Sequence, residues 1–247
     1  MSPPAPQRIA LVTGGSRGIG AAIVGRLARD GYAVAVNYAS SAAEADALVA
    51  GIRQAGGRAM AVRADVSRSA EVRAMFDQVE AGLGRVDVLV NSAGILEMKS
   101  LAETSDELFE RTFGINTRGT FNTLREAAAR LADGGSIVNV SSTTVALNLP
   151  GYSVYIASKA AVEGLTQVFA KELRGRRITV NAVAPGPVAT ELFMKGKSPE
   201  LIEHYAKLPP LERLGQPEDI SGVVSFLASP DAGWVNGQIL RANGGVA

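Results

Sequence analysis

The sequence predicts an α/β fold, a single domain in which a doubly wound parallel sheet carries helices on both faces. Three observations predict it. Short apolar runs of strand length alternate about six times with stretches of helical spacing, and the connections between them are short. The first run, Arg8-Ile-Ala-Leu-Val-Thr13, is apolar without alternation, as in a strand covered on both faces. It leads directly into the glycine-rich turn Gly14-Gly-Ser-Arg-Gly-Ile-Gly20, behind which Ile23, Val24 and Leu27 continue at helical spacing to Arg29. At 247 residues the chain fits one large domain better than two small ones, and no repeat or low-complexity tract divides it.

Composition narrows the function. Charge is nearly balanced, 25 Lys+Arg against 24 Asp+Glu, so there is no electrostatic footprint for nucleic acid or an anionic membrane. The absence of cysteine excludes disulfides, thiolate metal sites and cysteine nucleophiles. His204 is the only histidine, which argues against a Ser-His-Asp hydrolase and against a zinc site, so no metal is expected. The start, Met1-Ser-Pro-Pro-Ala-Pro-Gln7, lacks the basic and apolar parts of a signal peptide, and no later run reaches membrane-spanning length. A cytoplasmic protein is expected, with residues 1–7 a disordered lead and 8–247 the domain.

The order strand, glycine turn, helix has a physical use. Glycines permit a tight turn and close backbone approach, and a helix N-terminus offers free N–H groups and a positive dipole end to a pyrophosphate. Gly14, Ser16, Arg17, Gly18, Ile19 and Gly20 are therefore candidate dinucleotide contacts in a Rossmann-type domain. A second strand, Ala33 to Val36, ends in Asn37-Tyr38-Ala39-Ser40-Ser41, where such a fold places an acid to hold the adenosine ribose. The acid is missing. Asn37, Tyr38, Ser40 and Ser41 join Arg17 as candidates, since amide, hydroxyls and cation would accept a 2′-phosphate that an Asp would repel. NADP(H) is thus expected over NAD(H). The competing reading leaves Arg17 in solvent and the serines as caps of the next helix.

That helix spans Ala42 to Ala55 and stops at Gly56-Gly57, before a strand from Ala59 to Val62. Asp65-Val66 follows, where Asp65 either faces the adenine or caps what comes next, alone or with Ser67. A helical stretch from Ala70 to Gly82 precedes the strand Val86 to Val90 and the small residues Asn91-Ser-Ala-Gly94. Asn91, Ala93 and Gly94 would let a cofactor lie against the strand ends, and an ordinary αβ turn is the alternative.

A long helical pattern from Ser105 to Leu131 is interrupted at Gly114-Ile-Asn116 and at Gly119. Asn116, set among apolar residues, must find hydrogen-bond partners and is a candidate for a polar relay. The strand Ser136 to Val140 delivers Ser141-Ser142 to its carboxyl end, the edge where ligands sit in open α/β sheets. Tyr155 and Lys159 are four apart ahead of Ala160, Ala161, Leu165, Val168 and Phe169, so they share one face of a helix. The ammonium should pull the phenol down from about 10 toward working pH, making a general acid or base.

Ile178 to Ala184 is the next strand, ended by Pro185-Gly186-Pro187. Residues 188–210 mix Leu192, Phe193, Met194, Tyr205 and Leu208 with charges, the composition of a mobile substrate lid or of a surface insertion. Val188 and Thr190 at its start are further cofactor candidates, with Pro185 and Gly186. Gln216-Pro-Glu-Asp219 opens a helix running to about Ala228, and Gln238 to Leu240 closes the sheet.

With these residues in view, the chain after its proline lead resembles the short-chain dehydrogenase/reductase family. Thr13-Gly-Gly-Ser-Arg-Gly-Ile-Gly20 matches the family's T-G-x-x-x-G-x-G loop, Asn91-Ser-Ala-Gly94 its N-x-A-G motif, and Tyr155 with Lys159 its Y-x-x-x-K motif. Ser142, thirteen before the tyrosine, matches the catalytic serine, Asn116 the helix asparagine and Pro185-Gly186 the P-G turn. The resemblance implies that Ser142 binds a substrate carbonyl, Tyr155 protonates its oxygen and the nicotinamide delivers hydride to its carbon. It further implies that Lys159 holds the nicotinamide ribose and lowers the tyrosine pKa, while Asn116 holds a water linking Lys159 to solvent.

Within the family, Arg213-Leu-Gly-Gln-Pro-Glu-Asp-Ile220 and Gly237-Gln238 look most like the 3-oxoacyl carrier-protein reductase branch. Two departures stand out: Ala242-Asn243-Gly244-Gly245 replaces the common Asp-Gly-Gly, and Val154 precedes the tyrosine. Lys171, Arg174, Arg176 and Arg177 could face an acidic acyl carrier protein, with a solvated helix end as the alternative. A homotetramer is implied, with the Tyr155 helix and the Ser105 to Leu131 helix in one interface and the C-terminal segment in another.

The leading expectation is an NADPH-dependent reductase of a ketone or aldehyde. An NAD-dependent alcohol or sugar dehydrogenase and a nucleotide-sensing protein without chemistry are the alternatives. Leu96, Glu97, Thr144, Leu147, Leu149, Tyr152, Val188, Leu192, Phe193 and Met194 are candidate pocket residues, a mainly apolar set that favours an apolar or aromatic substrate.

Overall fold

Residues 7–247 are described by a computed structural model. The expected lead lies outside the described residues except for Gln7, whose side-chain amide donates to the Gly31 carbonyl at 3.0 Å. The first half of the chain forms β1 (Ile9–Thr13), α1 (Gly18–Arg29), β2 (Ala33–Tyr38), α2 (Ala42–Gln54), β3 (Ala59–Arg63), α3 (Ser69–Gly82) and β4 (Val88–Asn91). Then come α4 (Asp106–Phe113), α5 (Gly119–Arg130), β5 (Ser136–Val140), α6 (Thr144–Leu147) and α7 (Ser153–Glu172). The chain ends with β6 (Thr179–Pro185), α8 (Glu191–Met194), α9 (Pro199–Lys207), α10 (Pro217–Ala228) and β7 (Ile239–Ala242).

The strands form one sheet in the order β3-β2-β1-β4-β5-β6-β7, with every neighbouring pair parallel. Parallel strands need crossovers, and the helices supply them on both faces. Alternate strand residues consequently feed two separate cores. Ala10, Val12, Val34, Val36, Val88, Val90 and Val138 pack against Ile23, Val24, Leu27, Ile220, Val224 and Leu227 of α1 and α10. Leu11, Ala35, Leu89, Ile137 and Val180 pack on the other face against Val72, Met75, Phe76 and Leu124 of α3 and α5. This double burial explains why the strands read as unbroken apolar runs.

The strand order reverses between β1 and β4, so their carboxyl ends diverge and leave a crevice. The Thr13 hydroxyl ties its two walls, accepting from Ser92 N at 3.1 Å and Ala93 N at 3.3 Å.

Two expectations are corrected. The helix from Asp106 to Arg130 is not broken at Gly114 and Gly119; residues Gly114–Arg118 widen into a π-turn and the backbone stays helical. Gly119 is a contact residue there, because a Cβ would lie 2.6 Å from Val66 Cγ2. The segment 188–210 is not wholly a cover either. Val188 is buried and bridges Gly215 as part of the core, and the short helices α8 and α9 follow it. Among the described residues no helix is long and apolar enough to cross a membrane.

Candidate active site

A cavity of about 640 Å³ fills the crevice, lined by the glycine loop, the ends of β2, β4, β5 and β6, the start of α7, and α8. Gly14 and Gly18 have φ of +61° and +55°, which non-glycine residues rarely adopt. A Cβ on Gly14 would come within 2.7 Å of Ala93 Cα, and one on Gly20 within 2.2 Å of the Gly14 carbonyl oxygen. The loop can fold back this tightly only with glycine at these positions. Ser16, Arg17, Gly18 and Ile19 line the cavity and present the first turn of α1 to it, the geometry that suits a pyrophosphate.

Tyr38, Ser40, Ser41, Asp65 and Val66 line the adjoining part. Ser41 makes no side-chain cap to α2, so its hydroxyl is not committed to the helix. Asn37 is different, and its expected role as a phosphate ligand is corrected. Its side chain is buried, its Oδ1 accepts from Gly14 N at 3.2 Å, and its Nδ2 donates to the carbonyls of Val62 and Ala64 at 3.3 and 3.1 Å. The amide therefore holds the glycine loop against β3. Asp65 closes the turn before α3, its Oδ1 accepting from Ser67 N at 2.9 Å and Ser67 Oγ at 2.7 Å, and it also borders the cavity.

Asn91, unlike Asn37 and unlike its neighbours Ala93 and Gly94, does not line the cavity. Its Nδ2 donates to Asn139 Oδ1 at 2.8 Å and its Oδ1 accepts from Thr123 at 2.7 Å, while Asn139 donates to Thr166 at 2.8 Å. This buried chain ties α5 to α7 beneath the site, and removing one partner would strand the next.

At the floor, α7 presents Tyr155 and Lys159 four residues apart, and Ser142 reaches them from the end of β5. Ser142 Oγ accepts from Thr144 N at 3.2 Å and Thr144 Oγ1 at 2.9 Å, leaving its own proton to donate. Its neighbour Ser141 donates instead to Glu163 at 2.7 Å, so only Ser142 is free to act. Lys159 is buried, 5% exposed, with Nζ donating to the Val140 carbonyl at 2.7 Å. Asn116 sits in the π-turn, its Oδ1 accepting from Ile95 N at 2.9 Å and its Nδ2 donating to Ile95 O and Ser158 Oγ, both at 3.0 Å. It clamps the strand-end loop to the tyrosine helix.

The electrostatics correct the expectation for Tyr155. Burial pushes its phenol above the usual value, opposed by a hydrogen bond with Ser142, while burial pulls the Lys159 ammonium down to about 8. Desolvation is the dominant influence on the phenol, with Lys159 Nζ 5.9 Å from the Tyr155 ring centre. The phenol stays protonated at neutral pH.

The outer wall is apolar. Leu96, Leu147, Leu149, Tyr152, Leu192 and Phe193 line it as expected, with Glu97, Thr144 and Val188; Met194 does not reach it. Pro185, Gly186 and Thr190 line the cofactor end. Tyr205 was not foreseen as a wall residue for any reason but its lid position. It comes up from α9 to pack edge-on against Phe193 at 5.5 Å, and its hydroxyl joins burial in holding the Tyr152 phenol above the usual value; Tyr152 in turn stacks edge-on with Tyr155 at 6.4 Å. Ser158 was missed, although three residues after Tyr155 places it on the same helix face. Glu191, on the cavity rim against Arg17, was missed because nothing in the sequence brings two residues 174 apart together.

The departures at the C-terminus are absorbed. Asn243 donates to Thr143 Oγ1 at 3.2 Å and to the Ala247 carbonyl at 3.0 Å, and a Cβ on Gly186 would lie 2.8 Å from Asn243 Cα. The basic residues considered for a carrier protein stand away from the cavity floor: Lys171 lies sixteen residues along α7 from Tyr155, about 24 Å at 1.5 Å per residue. Arg176 is moreover committed to Asp133 at 2.8 Å and to the carbonyls of Ala128 and Leu131.

A doubly wound sheet with a dinucleotide crevice and a Ser-Tyr-Lys floor defines a nucleotide-dependent oxidoreductase. The chain matches, over residues 14–247, the profile of the family described as Enoyl-(Acyl carrier protein) reductase. It is 45% identical over 248 residues to a short-chain type dehydrogenase/reductase of Picea abies, covering 96% of this chain and 92% of that one. To an NADPH-dependent aldehyde reductase-like protein, chloroplastic, of Arabidopsis thaliana it is 46% identical over 260 residues, covering 98% and 96%. The crystal structure of a blue fluorescent protein from a metagenomic library in complex with NADPH superposes with a TM-score of 0.92 at 41% identity, covering 97% of this chain and 98% of that one. The protein belongs to the short-chain dehydrogenase/reductase family.

Proposed function

We propose that the protein is an NADPH-dependent reductase of ketones or aldehydes with an apolar or aromatic flank. The observation that carries this reading is the buried Tyr155 phenol beside a Ser142 hydroxyl that accepts from Thr144 and keeps its proton to donate, at the floor of an apolar cavity. A carbonyl oxygen placed between Ser142 and Tyr155 would accept a hydrogen bond from the first and a proton from the second. Bound NADPH supplies hydride to the carbonyl carbon.

The chain's own residues fit that cofactor. The glycine loop and the N-terminus of α1 would hold the pyrophosphate, Arg17, Ser40 and Ser41 the 2′-phosphate, and Asp65 with Val66 the adenine side. Lys159, with a donor already fixed on Val140, keeps N–H groups for the nicotinamide ribose. Relatives described as NADPH-dependent aldehyde reductases and a neighbour in complex with NADPH support the choice of cofactor. Asn116 acts by position, fixing Ile95 and Ser158 around Lys159. The segment α8–α9 serves as the lid, docked through Tyr205. The exposed Phe109, Phe121 and Val168 on α4, α5 and α7 support assembly with further copies of the chain through these helices.

The test is loss of NADPH absorbance, with NADH as control, over aryl ketones, diketones, aldehydes, ketosugars and a 3-oxoacyl thioester. Turnover with NADPH on an aryl or apolar carbonyl is expected. Activity confined to ketosugars, or to NADH, would overturn the reading.

A further inference from the structure

Arg17 and Glu191 join the two sides of the cofactor end of the cavity. Arg17 Nη1 lies 3.2 Å from Glu191 Oε2, and both residues line the cavity. Arg17 is the residue that leads into α1, and Glu191 is the first residue of α8. The residues next to them also meet, since a Cβ on Gly18 would sit 3.6 Å from the Thr190 methyl carbon Cγ2. The pair thus lies on the rim of the cavity's cofactor end. Its placement is electrostatically unusual: the first turn of α1 carries no acid, as suits a phosphate site, yet a carboxylate from another segment enters it.

We propose that Glu191 is a cofactor-selectivity residue, a counter-anion for Arg17 that the 2′-phosphate of the cofactor must displace. The inference rests on the reading of Arg17 as the cation for that phosphate. Glu191 holds Nη1 and offsets the guanidinium's charge, so a 2′-phosphorylated ligand gains the full fork of Arg17 only by releasing Glu191. A ligand without that phosphate leaves the pair in place and is not penalised. Glu191 therefore narrows the preference for phosphorylated cofactor and ties α8 to the glycine loop until that cofactor arrives. The two side chains are 64% and 77% exposed, so the pair is screened by water and its effect is small.

Calorimetric titration of the full chain with 2′,5′-ADP and with 5′-AMP tests this. Both share the adenosine and 5′-phosphate, and they differ in the group that Arg17 would read. Glu191→Gln, at an exposed position, is expected to tighten 2′,5′-ADP about threefold and leave 5′-AMP unchanged, as an exposed ion pair allows. Equal tightening of both ligands would reduce Glu191 to general repulsion, and no change in either would remove its role; each result overturns the proposal. Arg17→Ala separates this failure from that of the underlying reading. It should abolish the preference for 2′,5′-ADP; if the preference persists, Arg17 is not the phosphate cation and the proposal falls with it.

Discussion

The ammonium of Lys159 donates to the carbonyl oxygen of Val140 at 2.7 Å, so the helix that carries Tyr155 is fastened to the end of the strand that delivers Ser142. The lysine is buried, and burial lowers its pKa from 10.5 to about 8. Between these values the unfolded chain keeps a proton that the folded chain has released, so rising pH favours the folded state by this group. Below about 8 both states are protonated and the desolvation cost is constant. Thermal melts of wild type and Lys159→Met across pH 7 to 10 should therefore show the difference moving in favour of wild type above about 8. A difference independent of pH would contradict the lowered pKa.

Tyr155→Phe should retain its fold and bind NADPH as wild type does, because the phenol hydroxyl is not required by either core. Carbonyl reduction should fall by roughly two to four orders of magnitude, the usual contribution of a placed general acid. With burial holding the phenol above its ordinary value, wild-type reduction should be level through neutral pH and should decline only on the alkaline side. Stopped-flow rates at saturating cofactor would measure both effects. Tyr155→Phe at near-normal turnover would remove the tyrosine from the chemistry.

The fold was legible because strands buried on both faces leave no polar alternation, and because the glycine turn between β1 and α1 is a local signal. The floor was legible for the same reason, since Tyr155 and Lys159 are related by one helical repeat. Ser142 was separable from Ser141 by its place thirteen before Tyr155, whereas the commitment of Ser141 rests on Glu163, 22 residues away and on another element. Asn37 was read as a ligand because a polar residue at a strand end ordinarily faces solvent or substrate. Its real partners are backbone atoms of Gly14, Val62 and Ala64, which pattern alone does not bring together. The lowered pKa expected for Tyr155 failed for a related reason: charge separation can be guessed from spacing, but the depth of burial cannot.

Asn37 gives a prediction that separates the two readings of β2. Asn37→Asp keeps an acceptor for Gly14 N but replaces the Nδ2 donor with a carboxylate oxygen facing two carbonyls. The variant should lose about 2–3 kcal/mol of stability, as for buried polar groups left unsatisfied. Its loosened glycine loop should weaken NADPH and NADH together. A selective gain for NADH, with stability unchanged, would show that residue 37 senses the 2′-phosphate directly.

Tyr205 tests the lid. Its ring packs against Phe193 of α8, and its hydroxyl neighbours the buried Tyr152 phenol, whose pKa it raises together with burial, so α9 meets the substrate wall through one aromatic contact and one polar neighbour. Neither contact touches the groups that move a proton. Tyr205→Phe keeps the aromatic contact and removes the hydroxyl beside Tyr152; a hydrogen bond between the two phenols would be worth about 0.5–1.5 kcal/mol, or roughly twofold to tenfold in an equilibrium constant. The loss should therefore fall on KM for the carbonyl substrate, with kcat held within about twofold, because a cover that docks less firmly weakens substrate binding without altering the acid. Tyr152→Phe should produce a similar rise in KM, and the double variant should add little to either, since the two hydroxyls serve one interaction. Additive losses in the double variant, or a fall in kcat with KM unchanged, would place Tyr205 outside the lid contact and give its hydroxyl a role at Tyr155 instead.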